Sequence, residues 1–173
     1  MARVNPKAVS AIGAAAVSLL IALGFTARFE GETYHAIIPV PGDPWTICNG
    51  HTKGVKQGDT ATKAQCDQWL REDLEDAARI VDSCIVAPDD NPLTIHRHAA
   101  LTDFALNVGR GAKDIKDGLC ILKNGNQSFI RRMAAIGNWP AVCAGFRAWV
   151  KAGGVFYQGL DTRRKAEEGL CQS

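Results

Sequence analysis

Hydrophobic and polar positions divide the chain into two unequal parts. From Ala8 to Ala27, twenty consecutive residues carry no charge, about the length a helix needs to cross a bilayer. Beyond Arg28 the apolar residues recur at helical spacing instead. Cys66, Trp69, Leu70, Leu74, Ala77, Ala78 and Val81 follow a capping box at Thr62-Lys63-Ala64-Gln65, predicting a helix over 62–83. Asn91-Pro92 opens the next one. Its apolar face is Ala100, Leu101, Phe104, Ala105 and Val108, and Gly109 and Gly111 end it. Shorter helices are expected near 113–124, 127–137, 140–152 and 161–171, with breaks at Gly125, Gly137 to Pro140 and Gly153-Gly154. Between the first run and these helices, Tyr34 to Thr46 is β-prone and rich in Pro and Gly, which reads as a small irregular hairpin. Gly54 to Asp59 is another turn. The expected fold is α+β and mostly helical: a small hairpin lobe at 30–60, a helical lobe, and a cleft between them.

The uncharged run divides the chain into a segment 1–27 and a domain 28–173. Arg3 and Lys7 precede it, so the positive-inside bias leaves the N-terminus cytoplasmic and exports everything after Arg28. As a transmembrane span it is weak. Seven Ala, two Gly, two Ser and one Thr fill twelve of its positions, leaving little Leu, Ile or Phe to favour lipid. A cleaved signal peptide is the alternative, but Phe25 occupies a position that small-x-small cleavage sites keep small. An uncleaved anchor is therefore expected, holding residues 8–27 in the inner membrane. Glu30 lies three residues past the run, about 5 Å at helical rise, so it sits at the headgroup surface while the helix is inserted.

Composition narrows the class further. A chain of 173 residues suits one domain with a real core. The formal charge of +2 and the absence of a basic tract argue against nucleic acid as a partner. All six cysteines, Cys48, Cys66, Cys84, Cys120, Cys143 and Cys171, lie beyond the uncharged run, which points to disulfides in an oxidising compartment. Fifteen pairings are possible; the expected set joins Cys48 to Cys66, Cys120 to Cys143 and Cys84 to Cys171. No CxxC spacing occurs, and His96 and His98 point to opposite sides of a helix, so neither a metal nor another cofactor is expected.

Chemistry concentrates in Arg28 to Thr52. Glu30-Gly31 closes one element, and the hairpin after it brings a hydroxyl, Thr46, and an imidazole, His51. Packed among Phe29 and Tyr34, the Glu30 carboxyl would be desolvated and held protonated, as a general acid requires. Glu32 competes locally but lacks the following glycine. A Cys48/His51 thiol nucleophile is the alternative in this stretch, although a disulfide accounts for Cys48 better.

These residues resemble the phage-type lysozymes of glycoside hydrolase family 24. Glu30-Gly31, Thr46-Ile47 and Gly50-His51-Thr52 carry the likeness at one end. Asp103 to Gly109 looks like the family's central helix, and Phe146-Arg147-Ala148-Trp149, Gly153-Gly154 and Gly159 to Arg164 look like its C-terminal signature. With the uncharged segment, the whole chain resembles a signal-anchor-release endolysin. The resemblance implies a lysozyme-like two-lobed fold acting, as a monomer, on peptidoglycan glycan strands. The bond is the β-1,4 link between N-acetylmuramic acid and N-acetylglucosamine. It implies that the domain is held at the membrane and then released into the periplasm. Glu30 would be the acid, Thr46 would position water or sugar, and His51 would support the site. Asn107, Gly109 and Arg110 would bind sugar from the far wall.

One position departs from the family pattern, which places an aspartate nine residues after the glutamate. Here that position is Pro39, Thr46 lies sixteen residues on rather than fifteen, and the acid in the loop is Asp43. Either Asp43 holds the attacking water, or the substrate's own hydroxyl attacks and the enzyme is a lytic transglycosylase releasing anhydro sugars. A catalytically dead peptidoglycan-binding module and a membrane protein whose soluble part only binds a partner are the readings of another class.

Overall fold

The structure, a computed structural model, describes residues 6–29, 33–39, 42 and 44–173, with side chains from residue 13 onward. Glu30 and Asp43 lie outside the described residues. The uncharged run does form one helix, α1 (Pro6–Thr26). It packs on the helical lobe, and among the described residues no helix is long and apolar enough to cross a membrane. The face it packs with is made of small and polar residues. Ser18, Ala22 and Thr26, four apart on one face, are all buried, and Ala22 joins Leu70, Leu74 and Ala99 in a cluster shared with α2 (Lys63–Cys84) and α3 (Ile95–Val108).

The hairpin follows as expected. β1 (Thr33–Ile37) and β2 (Thr46–Cys48) are antiparallel, with a bulge between the Thr33–Cys48 and Ile37–Thr46 pairs. Reciprocal hydrogen bonds between Ile47 and His51, at 2.9 and 3.0 Å, close the turn that follows. That turn needs left-handed backbone at both Cys48 and Gly50. Such a φ is uncommon for a residue with a side chain, and here the disulfide from Cys48 to Cys66 at the start of α2 holds it.

Helix α2 begins at the capping box: Thr62 Oγ1 accepts from the Gln65 amide, and Gln65 Oε1 accepts from the Thr62 amide at 2.8 Å. Its buried stripe is Cys66, Leu70, Leu74, Ala77, Val81 and Cys84. α3 starts three residues later than Pro92 suggests, because Thr94 provides the cap by accepting from the Arg97 amide. It ends at Gly109, whose φ is +73°. Its core residues Leu101 and Phe104 pack with Leu119, Ile130, Trp139, Val142 and Phe146.

The helix expected over 113–124 does not form. Gly111 and Gly118 approach so closely that a Cβ on either would collide with the opposite backbone. Leu119 and Cys120 donate to the Gly109 and Arg110 carbonyls at 2.9 Å, and Asp114 adopts positive φ. The segment is a folded loop tied back on the end of α3.

After it come α4 (Phe129–Ala135), capped by Ser128, and α5 (Trp139–Gly145), capped by Asn138. The helix expected over 140–152 stops early. A 3₁₀ turn, Phe146–Ala148, leads into a hairpin of β3 (Lys151–Ala152) and β4 (Val155–Phe156). Gly153 and Gly154 both take the positive φ that a two-residue hairpin turn requires. α6 (Gln158–Gln172) then returns across α3 and α5.

Two of the expected disulfides are corrected. Cys48–Cys66 is present, but Cys84 pairs with Cys120 and Cys143 with Cys171, at Cα separations of 5.7 and 5.5 Å. The cause is packing: the end of α2 lies beside the folded loop at Cys120, and α5 lies beside α6. Peptide mapping without reduction should recover these three pairs. Replacing Cys143 and Cys171 by Ser should lower stability by about 3 kcal/mol, read as a lower denaturation midpoint.

Candidate active site

The two lobes leave a cleft of about 500 Å³ between them, lined by Pro44, Thr46 and Gly50 on the hairpin side and by Asp73, Asn107 and Lys116 on the helical side. A second cavity of about 620 Å³ adjoins it at the end of α1, where Arg28 and Phe29 face Asn107, Tyr157 and Arg163. Asn107 belongs to both walls. The chain therefore delivers Phe29, the residue before Glu30, to the same wall that Asn107 shares with the cleft.

Thr46 lies at the first position of β2, half-buried on the cleft wall, and its hydroxyl donates to the Pro44 carbonyl at 3.0 Å. That bond orients the oxygen and leaves its lone pairs to accept. His51 is differently placed. Its ring is buried and stacked on Trp69 at 4.9 Å. Nδ1 lies 2.7 Å from Asp73 Oδ2, and Nε2 lies 3.1 Å from the Lys53 carbonyl. Both nitrogens are engaged, so His51 supports the cleft wall from behind and offers sugar no free polar atom. Asp73, which it anchors, is on the wall.

On the opposite side Asn107 is exposed to the cleft and its Oδ1 accepts from Arg164. Gly109 borders the neighbouring part of the groove beside Asp73 and Leu106. Arg110 turns elsewhere, donating to Ser83 Oγ at 2.7 Å near the end of α2. Pro39, where the family pattern asks for an aspartate, is exposed in the hairpin loop. Trp149 packs edge-on against Phe104 and belongs to the core, whereas Phe156 and Tyr157 are exposed.

Behind this wall lies a buried polar network that periodicity did not reveal. Asp103 is wholly buried. Its Oδ1 accepts from Thr26 Oγ1 at 2.6 Å and from Arg163 at 2.9 Å, and its Oδ2 accepts from Arg163 Nε at 3.0 Å. Arg164, also buried, donates to both oxygens of Glu167, to the Trp149 carbonyl and to Asn107, and its guanidinium lies over the Phe104 ring. Burial holds the Glu167 carboxyl well above the ordinary glutamate value. Arg164 opposes that rise and the Asp103 carboxylate adds to it. The network's signal in the sequence is confined to α6, where Arg163, Arg164 and Glu167 share one helix face. Lys116 was missed because its loop read as a helix.

A raised carboxyl binds its proton more tightly in the folded chain than in the unfolded one. Its contribution to stability is therefore complete below the ordinary glutamate pKa and is lost as pH rises toward the raised value. Glu167→Gln, which cannot ionise, should lack that decline. Denaturation at pH 4 and at pH 7, both assay conditions, should show wild type losing more stability than the variant over that interval.

The phage lysozyme family model matches residues 27–167. The SAR-endolysin of Enterobacteria phage P21 is 33% identical over 171 residues, covering 95% of this chain and 93% of that protein. A P22 lysozyme mutant superimposes with a TM-score of 0.66 at 26% identity, over 88% of this chain and 95% of that one. The active form of the P1 phage endolysin Lyz, at 24% identity, shares the fold with a TM-score of 0.68 over 87% and 82%.

Proposed function

The chain belongs to the phage lysozyme family, a peptidoglycan-hydrolysing group, and from that premise we propose that it is a releasable endolysin cleaving between N-acetylmuramic acid and N-acetylglucosamine. The observation that carries this reading is the convergence of Thr46 and Asn107 on one cleft, with Phe29, the residue before Glu30, lining the adjoining cavity beside Asn107. Glu30 is the general acid, donating its proton to the leaving glycosidic oxygen. Thr46, its hydroxyl fixed by Pro44, accepts from the attacking water or the sugar and orients it. Asp43 is the carboxylate assigned to activate that water, three residues before Thr46. Asn107 and Gly109 line the saccharide-binding wall, and Lys116 adds a cation there.

Location follows from the first segment. The uncharged run and the cations before it support insertion of residues 8–27 in the inner membrane, with the domain in the periplasm. The relatives named SAR-endolysins support the same reading. While the segment is inserted, Glu30 is held at the headgroups, away from glycan strands. A segment rich in Ala, Gly and Ser leaves lipid at low cost, and its docked position on α3 suits the released form.

Pro39 favours one second reading, a lytic transglycosylase with Glu30 as its sole essential acid. The two separate by product. Purified peptidoglycan digested by the released full-length protein should yield reducing-end saccharides in mass spectra, and Asp43→Asn should abolish them. Anhydro ends that survive Asp43→Asn would replace hydrolysis by transglycosylation. Glu30→Gln should reduce either activity by about a hundredfold or more, the scale of general acid catalysis. Full activity in that variant would remove Glu30 from the mechanism.

A further inference from the structure

We propose that Thr26 is a positioning residue for the reaction, acting through Asp103 to fix the chain that delivers Glu30 to the cleft; this rests on the enzymatic reading above. The argument starts from the face that α1 buries. Ser18, Ala22 and Thr26 make one stripe against α3, and both hydroxyls meet α3 side chains. Ser18 Oγ lies 2.7 Å from His98 Nδ1, and the other His98 nitrogen lies 3.0 Å from Asp82 of α2. That clasp sits at the middle of α1. Thr26 is eight residues on, about 12 Å along the axis, at the last residue of the helix.

The Thr26 clasp differs in kind from the Ser18 clasp. Thr26 and Asp103 are both completely buried, and the same carboxylate holds the two nitrogens of Arg163. The hydroxyl thus joins the end of α1 to a charge that already fixes α6 to α3. Immediately beyond it, Arg28 donates to the Phe25 carbonyl at 3.1 Å and Phe29 to the Thr26 carbonyl at 2.9 Å. The Phe29 ring lies 5.1 Å from that of Phe25. Thr26 is therefore the donor that registers this terminal turn against α3, and Glu30 is the next residue after it. Arg163 and Phe29 line one cavity wall, so the register of the turn is also its distance from Arg163. A valine of the same shape at position 26 would keep α1 helical and deprive Asp103 of its hydroxyl partner. The turn would then lose the bond that sets its height on α3.

The test compares full-length Thr26→Val, Thr26→Ser and Ser18→Ala, released from the membrane, for kcat, KM and Tm on purified peptidoglycan. Thr26→Val should lose about tenfold or more in kcat with KM changed by about twofold or less, the pattern of a displaced reacting group. Thr26→Ser should restore kcat, because it restores the donor. Ser18→Ala loosens the same helix away from the cleft and should lower Tm while leaving kcat close to wild type. Should Thr26→Val not fold, Thr26→Ala carries the same expectation. Wild-type kcat in a folded Thr26 variant that lacks the hydroxyl would overturn the inference alone. So would a loss in Ser18→Ala that matches its Tm as closely as the loss in Thr26→Val. A wild-type protein that releases no saccharide would overturn the enzymatic reading itself.

Discussion

The Asp103 carboxylate is the constraint on which the helical lobe depends. A charge with no solvent exposure is tolerated only when its oxygens are fully partnered, and here the partners come from two other helices. Thr26 at the end of α1 and Arg163 of α6 both donate to a residue of α3. Removing Asp103 or Arg163 would leave the other charge buried and unpaired, at a cost that breaking a buried pair puts at several kcal/mol. Arg163 and Arg164 share Glu167, and Arg164 reaches Asn107. The network begins in the first segment of the chain and ends on the wall of the cleft. This is how α1 packs as part of the helical lobe even though its composition resembles a membrane segment.

The hairpin lobe is held differently. Strands of five and three residues cannot stand alone in water, and the lobe's core is little more than Ile47, Cys48 and Cys66 with Val55, Ala61 and Trp69 around them. α2 supplies the missing support. Cys66 in its first turn binds Cys48, Trp69 stacks on His51, and Asp73 takes the imidazole hydrogen bond. At its far end Cys84 binds the folded loop through Cys120. One helix thus spans the width of the cleft, fixing the hairpin at one end and the Gly109–Lys116 wall at the other. Thr46 and Asn107 can face each other only because α2 sets the distance.

Where local chemistry decides the backbone, the residues announced it. The capping box at Thr62 and Gln65 is present in full, α2 runs over the span its apolar period indicates, and the Pro/Gly-rich stretch is a hairpin. Where two distant backbones decide, the residues were silent. Ile115 to Leu122 has enough apolar character for a helix, but the close approach of Gly111 and Gly118 folds it into a loop. Gly153-Gly154 suggests a helix break and is the turn of a hairpin. The same holds for the site. Thr46 and Asn107 lie on the cleft as their motifs suggest, whereas His51 and Arg110 point to Asp73 and Ser83.

The sequence by itself determined the family, the two long helices α2 and α3, the hairpin that carries Thr46, and the number of cysteines available to pair, because each is written in neighbouring residues or in their period. Only the tertiary structure decided which cysteines meet, since Cys84–Cys120 and Cys143–Cys171 depend on how helices stack and not on spacing. Only it revealed that Ser18 and Thr26 hydrogen-bond to side chains of α3. A hydroxyl in an apolar run has no visible partner in one dimension. Its meaning came from Asp103, seventy-seven residues away in the chain and 2.6 Å away in space.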